Sequence, residues 1–428
     1  MFKGLLEKLN LNKDFGKLSF LTGIFLLPSA FSLSILFFLF SLVISLLTYK
    51  NSYFADKYNF SFFMGGLFLI ISAISHSLGI NLSQQYSWDS NLSWIGLANW
   101  LPFFLCFYGF QSFLNTPNER KAASLTFLYG TFPVIISGLG QAFFNWNGPL
   151  KTLGGLIIWY QRPIENFTEL TALFNNPNYA GLWLNLVWPF CLACIIVNKK
   201  VNIGKIASIS FGFGIAITTI LTNSRSAWLG LFITIFLTYG KRIINIIPKL
   251  FFGFFFILIT SLIPIINKFY EIFFKIIIPN QSWISVDQNH ITRIDIWVSA
   301  LNNIISNPLF GSGSGSFSEI FMSETGVFKG HPHNLSLELI LSYGIPAAIL
   351  IITPIAVISF LSFRKIFLET NQVIPNSIFE KSWIISLVIL LASQMVDVQY
   401  FDGRISLFLW ILLAGSRNII RNDMKLKI

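Results

Sequence analysis

Three side chains combine reactive chemistry with a place at the end of an apolar run. Arg225 lies in Thr222-Asn-Ser-Arg-Ser-Ala-Trp228, a connection so short that its guanidinium stays at a membrane surface. Arg293 opens the stretch Thr292-Arg-Ile-Asp-Ile-Trp-Val-Ser-Ala-Leu-Asn-Asn-Ile-Ile305, and His331-Pro-His333-Asn334 directly precedes another apolar run. Arginines grip a phosphate bidentately and stabilise it as a leaving group without a metal. A histidine at a helix N-terminus is kept neutral by the dipole, so His333 is expected to serve as a base toward an incoming hydroxyl. Glu338, one turn further, is the residue expected to orient it, while Asp397, Asp402 and Arg404 share the same face between the last two apolar runs. The set predicts a site for a lipid-linked phosphate or diphosphate whose head lies outside the bilayer. Plainer readings compete: a snorkelling end-cap for Arg225, a headgroup contact for Arg293 and a capping histidine for His333.

The elements that carry these residues are membrane helices. Of 428 residues 54% are hydrophobic and 11% charged, with a mean hydropathy of +0.67, against roughly 25% charged in soluble domains. Continuous apolar runs exclude a soluble enzyme with one anchor, a disordered chain and a coiled coil, and disfavour a β-barrel, whose segments are short and alternating. Spans are predicted at 18–30, 31–49, 60–80, 92–114, 121–142, 179–197, 203–221, 226–239, 246–266, 335–361, 382–398 and 404–420. The fold class is therefore all-α, a polytopic membrane protein of about twelve transmembrane helices. The first apolar run continues too far for a cleavable signal peptide.

Charge sets the sidedness, because cytoplasmic loops are rich in Lys and Arg. A hairpin at Pro28 puts both the N-terminus and the Lys50/Lys57 segment inside, and the remaining loops then alternate consistently. That arrangement places 21 of the 29 Lys and Arg on the cytoplasmic side, with both termini there. The net charge of +11 is thus a topology signal, and no nucleic-acid partner is implied. Two outside loops are long, about 143–178 and 267–334. Within the second, apolar residues at 294, 297, 298, 301, 304 and 305 form one helical stripe behind a Thr292 N-cap, which suits a helix lying on the bilayer. Asn175-Asn-Pro-Asn-Tyr179 reads as a turn and cap that starts a span. Gly311-Ser-Gly-Ser-Gly-Ser316 lacks the GK[ST] of a phosphate loop and reads as a flexible turn. Without repeats or linkers, residues 1–428 form one membrane domain.

No metal or other cofactor is expected. His331-x-His333 has the spacing of zinc ligands, but a site needs three or four, and neither His76 nor His290 is spaced to join it. There is also no Asp-x-Asp in the chain. Cys106, Cys191 and Cys194 all lie in apolar runs and read as packing.

At these residues the chain resembles the O-antigen ligase / O-antigen polymerase superfamily of bacterial envelope glycosyltransferases. The resemblance rests on Thr-Asn-Ser-Arg225-Ser-Ala-Trp-Leu-Gly, on Arg293-Ile-Asp-Ile-Trp with the later Asn-Pro-Leu-Phe-Gly-Ser-Gly, on His331 through Gly344, and on Asp397 to Trp410. The ligase pattern runs from His333-Asn334 through Gly344 and departs at its last position, where Ala347 stands. The core of the resemblance covers roughly 205–360. It implies a GT-C-like helical fold in the inner (plasma) membrane, with the active face periplasmic. The implied reaction moves a glycan from undecaprenyl diphosphate to a hydroxyl acceptor, without metal and with inversion. Arg225 and Arg293 would contact the diphosphate and His333 would act as base or position the acceptor. Arg404, Asp402, Glu338 and His331 would complete the substrate site. Relatives use lipid A–core, a second lipid-linked glycan or protein hydroxyls as acceptors, so ligase and polymerase both remain open. The stretch Asp397 to Arg404 also resembles a cyanobacterial branch associated with inorganic-carbon uptake, which keeps a transporter as an alternative.

Overall fold

A computed structural model describes residues 13–48, 53–79, 88–164, 169–198, 202–240, 291–369 and 377–426. The span expected at 246–266 lies outside them. Eight helical stretches are long and apolar enough to cross a membrane: Phe31–Thr48, Lys57–Ser77, Asn91–Phe113, Pro117–Phe144, Pro177–Val197, Ile203–Leu221, Ile345–Phe367 and Gly403–Arg421. The chain is a polytopic α-helical membrane protein. Three further apolar helices, Lys13–Leu26, Arg225–Tyr239 and Ser377–Ser393, are shorter than the ~20 residues a full perpendicular crossing needs.

The hairpin expected at Pro28 is present. Helix α1 (Lys13–Leu26) ends in a turn where Ala30 N–H bonds Leu26 C=O at 2.7 Å, and α2 (Phe31–Thr48) packs back against α1 with Ser34 Oγ on Gly23 C=O at 2.7 Å. The span expected at 335–361 is instead two helices, α3 (Leu335–Tyr343) and α4 (Ile345–Phe367), broken at Gly344. Gly344 has φ +87°, and a Cβ there would collide with the Leu309 carbonyl, so only glycine fits the close crossing of these two segments.

Side-chain contacts sort the loops into two ends. At one end Trp159 Nε1 bonds Ser29 C=O at 2.8 Å, Trp88 Nε1 bonds Ser314 C=O at 3.0 Å, and Tyr400 OH bonds Asn99 C=O at 2.7 Å. At the other, Lys17 meets Glu119, Arg120 meets Glu380, and Arg417 meets Asp56. Each of these contacts joins segments that the charge pattern assigns to one side.

Arg120 and Glu380 are only 3% and 2% exposed. The guanidinium donates to both carboxylate oxygens, at 2.9 and 2.8 Å, and to the Leu114 and Asn115 carbonyls. Every charge is thus paired, and the pair clamps Pro117–Gly130 to Ser377–Ser393. Arg120→Ala strands a buried carboxylate and is expected to cost about 3–5 kcal/mol, measured as a lowered melting temperature in detergent.

One local expectation is corrected, and one loop has structure of its own. Residues 311–316 are an anchored loop: Ser312 N–H bonds Leu341 C=O at 2.7 Å and Gly313 N–H bonds Ser342 C=O at 3.1 Å. The long loop after residue 143 contains a small antiparallel pair, Leu150–Thr152 with Ile157–Trp159, the only strands among the described residues.

Candidate functional site

His331-Pro-His333-Asn334 is built as a cap. The Asn334 side chain accepts from Ser336 and Leu337 N–H at 3.0 and 3.2 Å, starting α3. To reach it the chain turns through His333 at φ +51°, so the imidazole lies outside the helix. The two imidazoles stand edge to face with ring centroids 4.6 Å apart.

The partner of His333 comes from the other side of the sequence. Asp397 Oδ1 lies 3.0 Å from His333 Nδ1. A carboxylate only accepts, so the ring donates from Nδ1, and in the neutral imidazole Nε2 then keeps its lone pair. Asp397 is fixed in turn, because Oδ1 accepts from Val398 N–H at 3.0 Å and Oδ2 from Asn178 Nδ2 at 3.1 Å. Gln394 braces this turn by accepting from the backbone N–H of Gln399 and Tyr400. Leu335 N–H bonds Gln394 C=O at 2.9 Å, tying the turn to the histidine loop. Burial works to raise the Asp397 pKa, but the His333 hydrogen bond and nearby positive charge outweigh it and hold the carboxyl below its ordinary value. Burial pushes the His331 ring down to about 4, helped by the charges of His333 and Arg293 and opposed by Asp397.

Arg293 reaches this place through its helix, α5 (Arg293–Ser306), which is capped as expected. Thr292 Oγ1 accepts from Asp295 N–H, and the Asp295 carboxylate accepts from Thr292 N–H at 2.8 Å. Trp297, one turn beyond Arg293 on the same face, donates from Nε1 to Pro332 C=O at 3.0 Å. The predicted stripe needs correcting. Ile296, Ala300 and Ile304 pack inward against Phe317, Phe321 and Leu341, while Ile294 and Ile305 are 68% and 75% exposed. The helix therefore has two apolar faces, the outer one suited to a bilayer surface.

Arg225 heads helix α6 (Arg225–Tyr239) at the same end of the molecule. That helix packs against α7 (Pro177–Val197), the helix that carries Asn178: a Cβ on Gly181 would lie 2.7 Å from Ala227 Cβ. The residue after Arg225, Ser226, lines a crevice of about 120 Å³ together with Val396 and Gln399 from the Asp397 turn. Arg225 thus begins a helix whose next residue shares a crevice with the Asp397 turn, while the charge of Arg293 is felt at His331.

Glu338, Arg404 and Asp402 have partners of their own. Glu338 is fully buried and accepts from Ser342 Oγ at 3.0 Å; Asp397, and not Glu338, holds His333. Arg404 and Asp402 are 9% and 7% exposed and close on each other. Arg404 also donates to Leu173 C=O at 3.2 Å and stacks 3.9 Å over the Phe174 ring. They brace the turn beside the site. Asn178 was legible only as part of the Asn176 cap, which is present: Asn176 Oδ1 accepts from Asn178 N–H at 2.8 Å.

Part of the sequence that carries these residues has a recognisable counterpart. Residues 210–352 match the O-antigen ligase family. The matched third of the chain contains Arg225, Arg293, His331 and His333 and bears out the resemblance to the O-antigen ligase / polymerase type, an enzyme class of membrane glycosyltransferases. Asn178 and Asp397 lie outside it, so the polar contacts of His333 are completed from beyond the O-antigen ligase match. No curated protein matches the chain.

Proposed function

We propose that this protein transfers a glycan from a polyprenyl diphosphate to a hydroxyl acceptor at the non-cytoplasmic face of the inner membrane. The observation that carries the reading is the pairing of His333 Nδ1 with the fixed Asp397 carboxylate at 3.0 Å, beside the helix headed by Arg293. Asp397 holds the imidazole with Nε2 unprotonated, the tautomer needed to collect the acceptor hydroxyl proton as the new glycosidic bond forms. The anomeric carbon–oxygen bond to the diphosphate breaks in the same displacement, inverting the centre. Arg225 and Arg293 receive the departing diphosphate, whose charge grows as it leaves. No step in this scheme needs a metal. The exposed apolar residues of α5, Ile294 and Ile305, support the reading that the Arg293 turn lies at headgroup depth, where a lipid diphosphate resides.

Deleting the protein and running the surface glycans on a gel tests this reading. A missing ladder over an intact short core indicates a ligase, and single-repeat bands indicate a polymerase. An unchanged glycan profile contradicts glycan transfer and favours the transport alternative. The sidedness has its own test: Thr325→Cys, at the exposed end of the helix Ser316–Thr325, is expected to react with an impermeant thiol reagent from outside intact spheroplasts. Labelling only after lysis inverts the topology.

A further inference from the structure

We propose that His331, His333 and Asp397 form a binding site for a first-row transition-metal dication, with zinc as the best fit, and that the metal silences the base. One ligand atom from each residue lies within 4.8 Å of the other two. Zinc holds imidazole nitrogen and carboxylate oxygen at about 2.0–2.2 Å, which sets neighbouring ligands of a tetrahedron roughly 3.3–3.5 Å apart. His333 Nδ1 and Asp397 Oδ1, at 3.0 Å, are close to that edge already, so only His331 has a short distance to close. Sequence spacing offered two ligands; the third is supplied by the turn after Ser377–Ser393, which packs beside the histidine loop.

The surroundings favour a metal of this class. Two imidazoles and one carboxylate select zinc or its neighbours over magnesium and calcium, which prefer all-oxygen sites. Asn178 holds the second carboxylate oxygen at 3.1 Å, the outer contact that orients a ligating carboxylate. His333 and Asp397 are 29% and 15% exposed, which leaves an entry path. The charge of Arg293 is felt at His331 and opposes a dication, while the Asp397 carboxylate favours one. Three protein ligands leave a fourth position for water.

The consequence for His333 follows from its tautomer. With the metal on Nδ1, the single ring proton of the neutral imidazole moves to Nε2. The atom that would accept the hydroxyl proton becomes a donor, and no proton is gained or lost. Metal binding stands on the geometry alone; the silencing rests on the transfer reading above.

The test uses the full chain, purified without a polyhistidine tag, stripped with EDTA and dialysed against zinc chloride. The expected result is a single bound zinc per chain by elemental analysis, absent after magnesium dialysis. Both His331→Ala and Asp397→Asn should lose it while remaining monodisperse. Cobalt substitution should give visible bands of a tetrahedral centre in the wild type only. No retained zinc, or equal retention in both variants, overturns the site. Zinc bound with an undiminished rate of glycan transfer overturns the silencing and leaves the site standing. A wild type that neither transfers glycan nor loses its zinc site removes the transfer reading alone.

Discussion

Alanine at Arg293 or at Arg225 is expected to reduce glycan transfer by about 10²–10³-fold each while leaving the protein folded and in the membrane. The reason is the charge that builds on the diphosphate as its bond to the sugar breaks. In a site beside lipid, screening is weak, and a fixed guanidinium counts for far more than in water. Lysine should rescue poorly at either position, because it supplies a point charge where two parallel donors are needed. Arg293 is exposed at the first turn of its helix, and the cap made by Thr292 and Asp295 does not use its side chain. A folding defect is therefore not expected from its removal. Membrane fractionation with a melting curve separates loss of fold from loss of chemistry, and full transfer by both alanine variants would falsify the assigned role.

The second large effect is expected at the His333–Asp397 pair. His333→Ala removes the proton acceptor and should lower the rate about 10²–10⁴-fold. Asp397→Asn is the sharper experiment, since it keeps size and shape. An amide at that place presents both donor and acceptor atoms, so the imidazole is no longer forced to carry its proton on Nδ1. When its tautomer reverses, Nε2 becomes protonated and cannot act as base. The fall should approach that of His333→Ala, with the double variant no worse than the single ones. Additive losses would mean that Asp397 acts separately, for instance only by bracing the Val398 turn. Asn178→Ala loosens the carboxylate without removing it and is expected to give a smaller loss.

The membrane class was legible because it depends on run length and charge, which are sums over many residues. The Pro28 hairpin was legible for the same reason. The Asn175–Tyr179 and Thr292 caps were legible from local chemistry. What failed was local spacing taken for proximity. Glu338 stands five residues from His333, but Asn334 caps the helix between them and His333 turns away at positive φ. Asp397 comes from 64 residues further on, and nothing in local periodicity reports such a meeting. Sequence alone also did not report the neighbours of Arg404, a residue expected at the substrate. The neighbouring Asp402 and the Phe174 ring engage it. The strands at 150–152 and 157–159 have three residues each, too few for an alternating pattern to be visible.

The most direct test reconstitutes the purified protein in nanodiscs with a synthetic polyprenyl-diphosphate oligosaccharide and a hydroxyl-bearing acceptor, in the presence of EDTA. Release of free polyprenyl diphosphate is followed together with glycosylation of the acceptor. The wild type is expected to yield the two products in equal amounts with the anomeric centre inverted, and Asp397→Asn almost none. Donor left intact by the wild type, or turnover that appears only when magnesium is restored, would contradict an arginine-held leaving group and a histidine base.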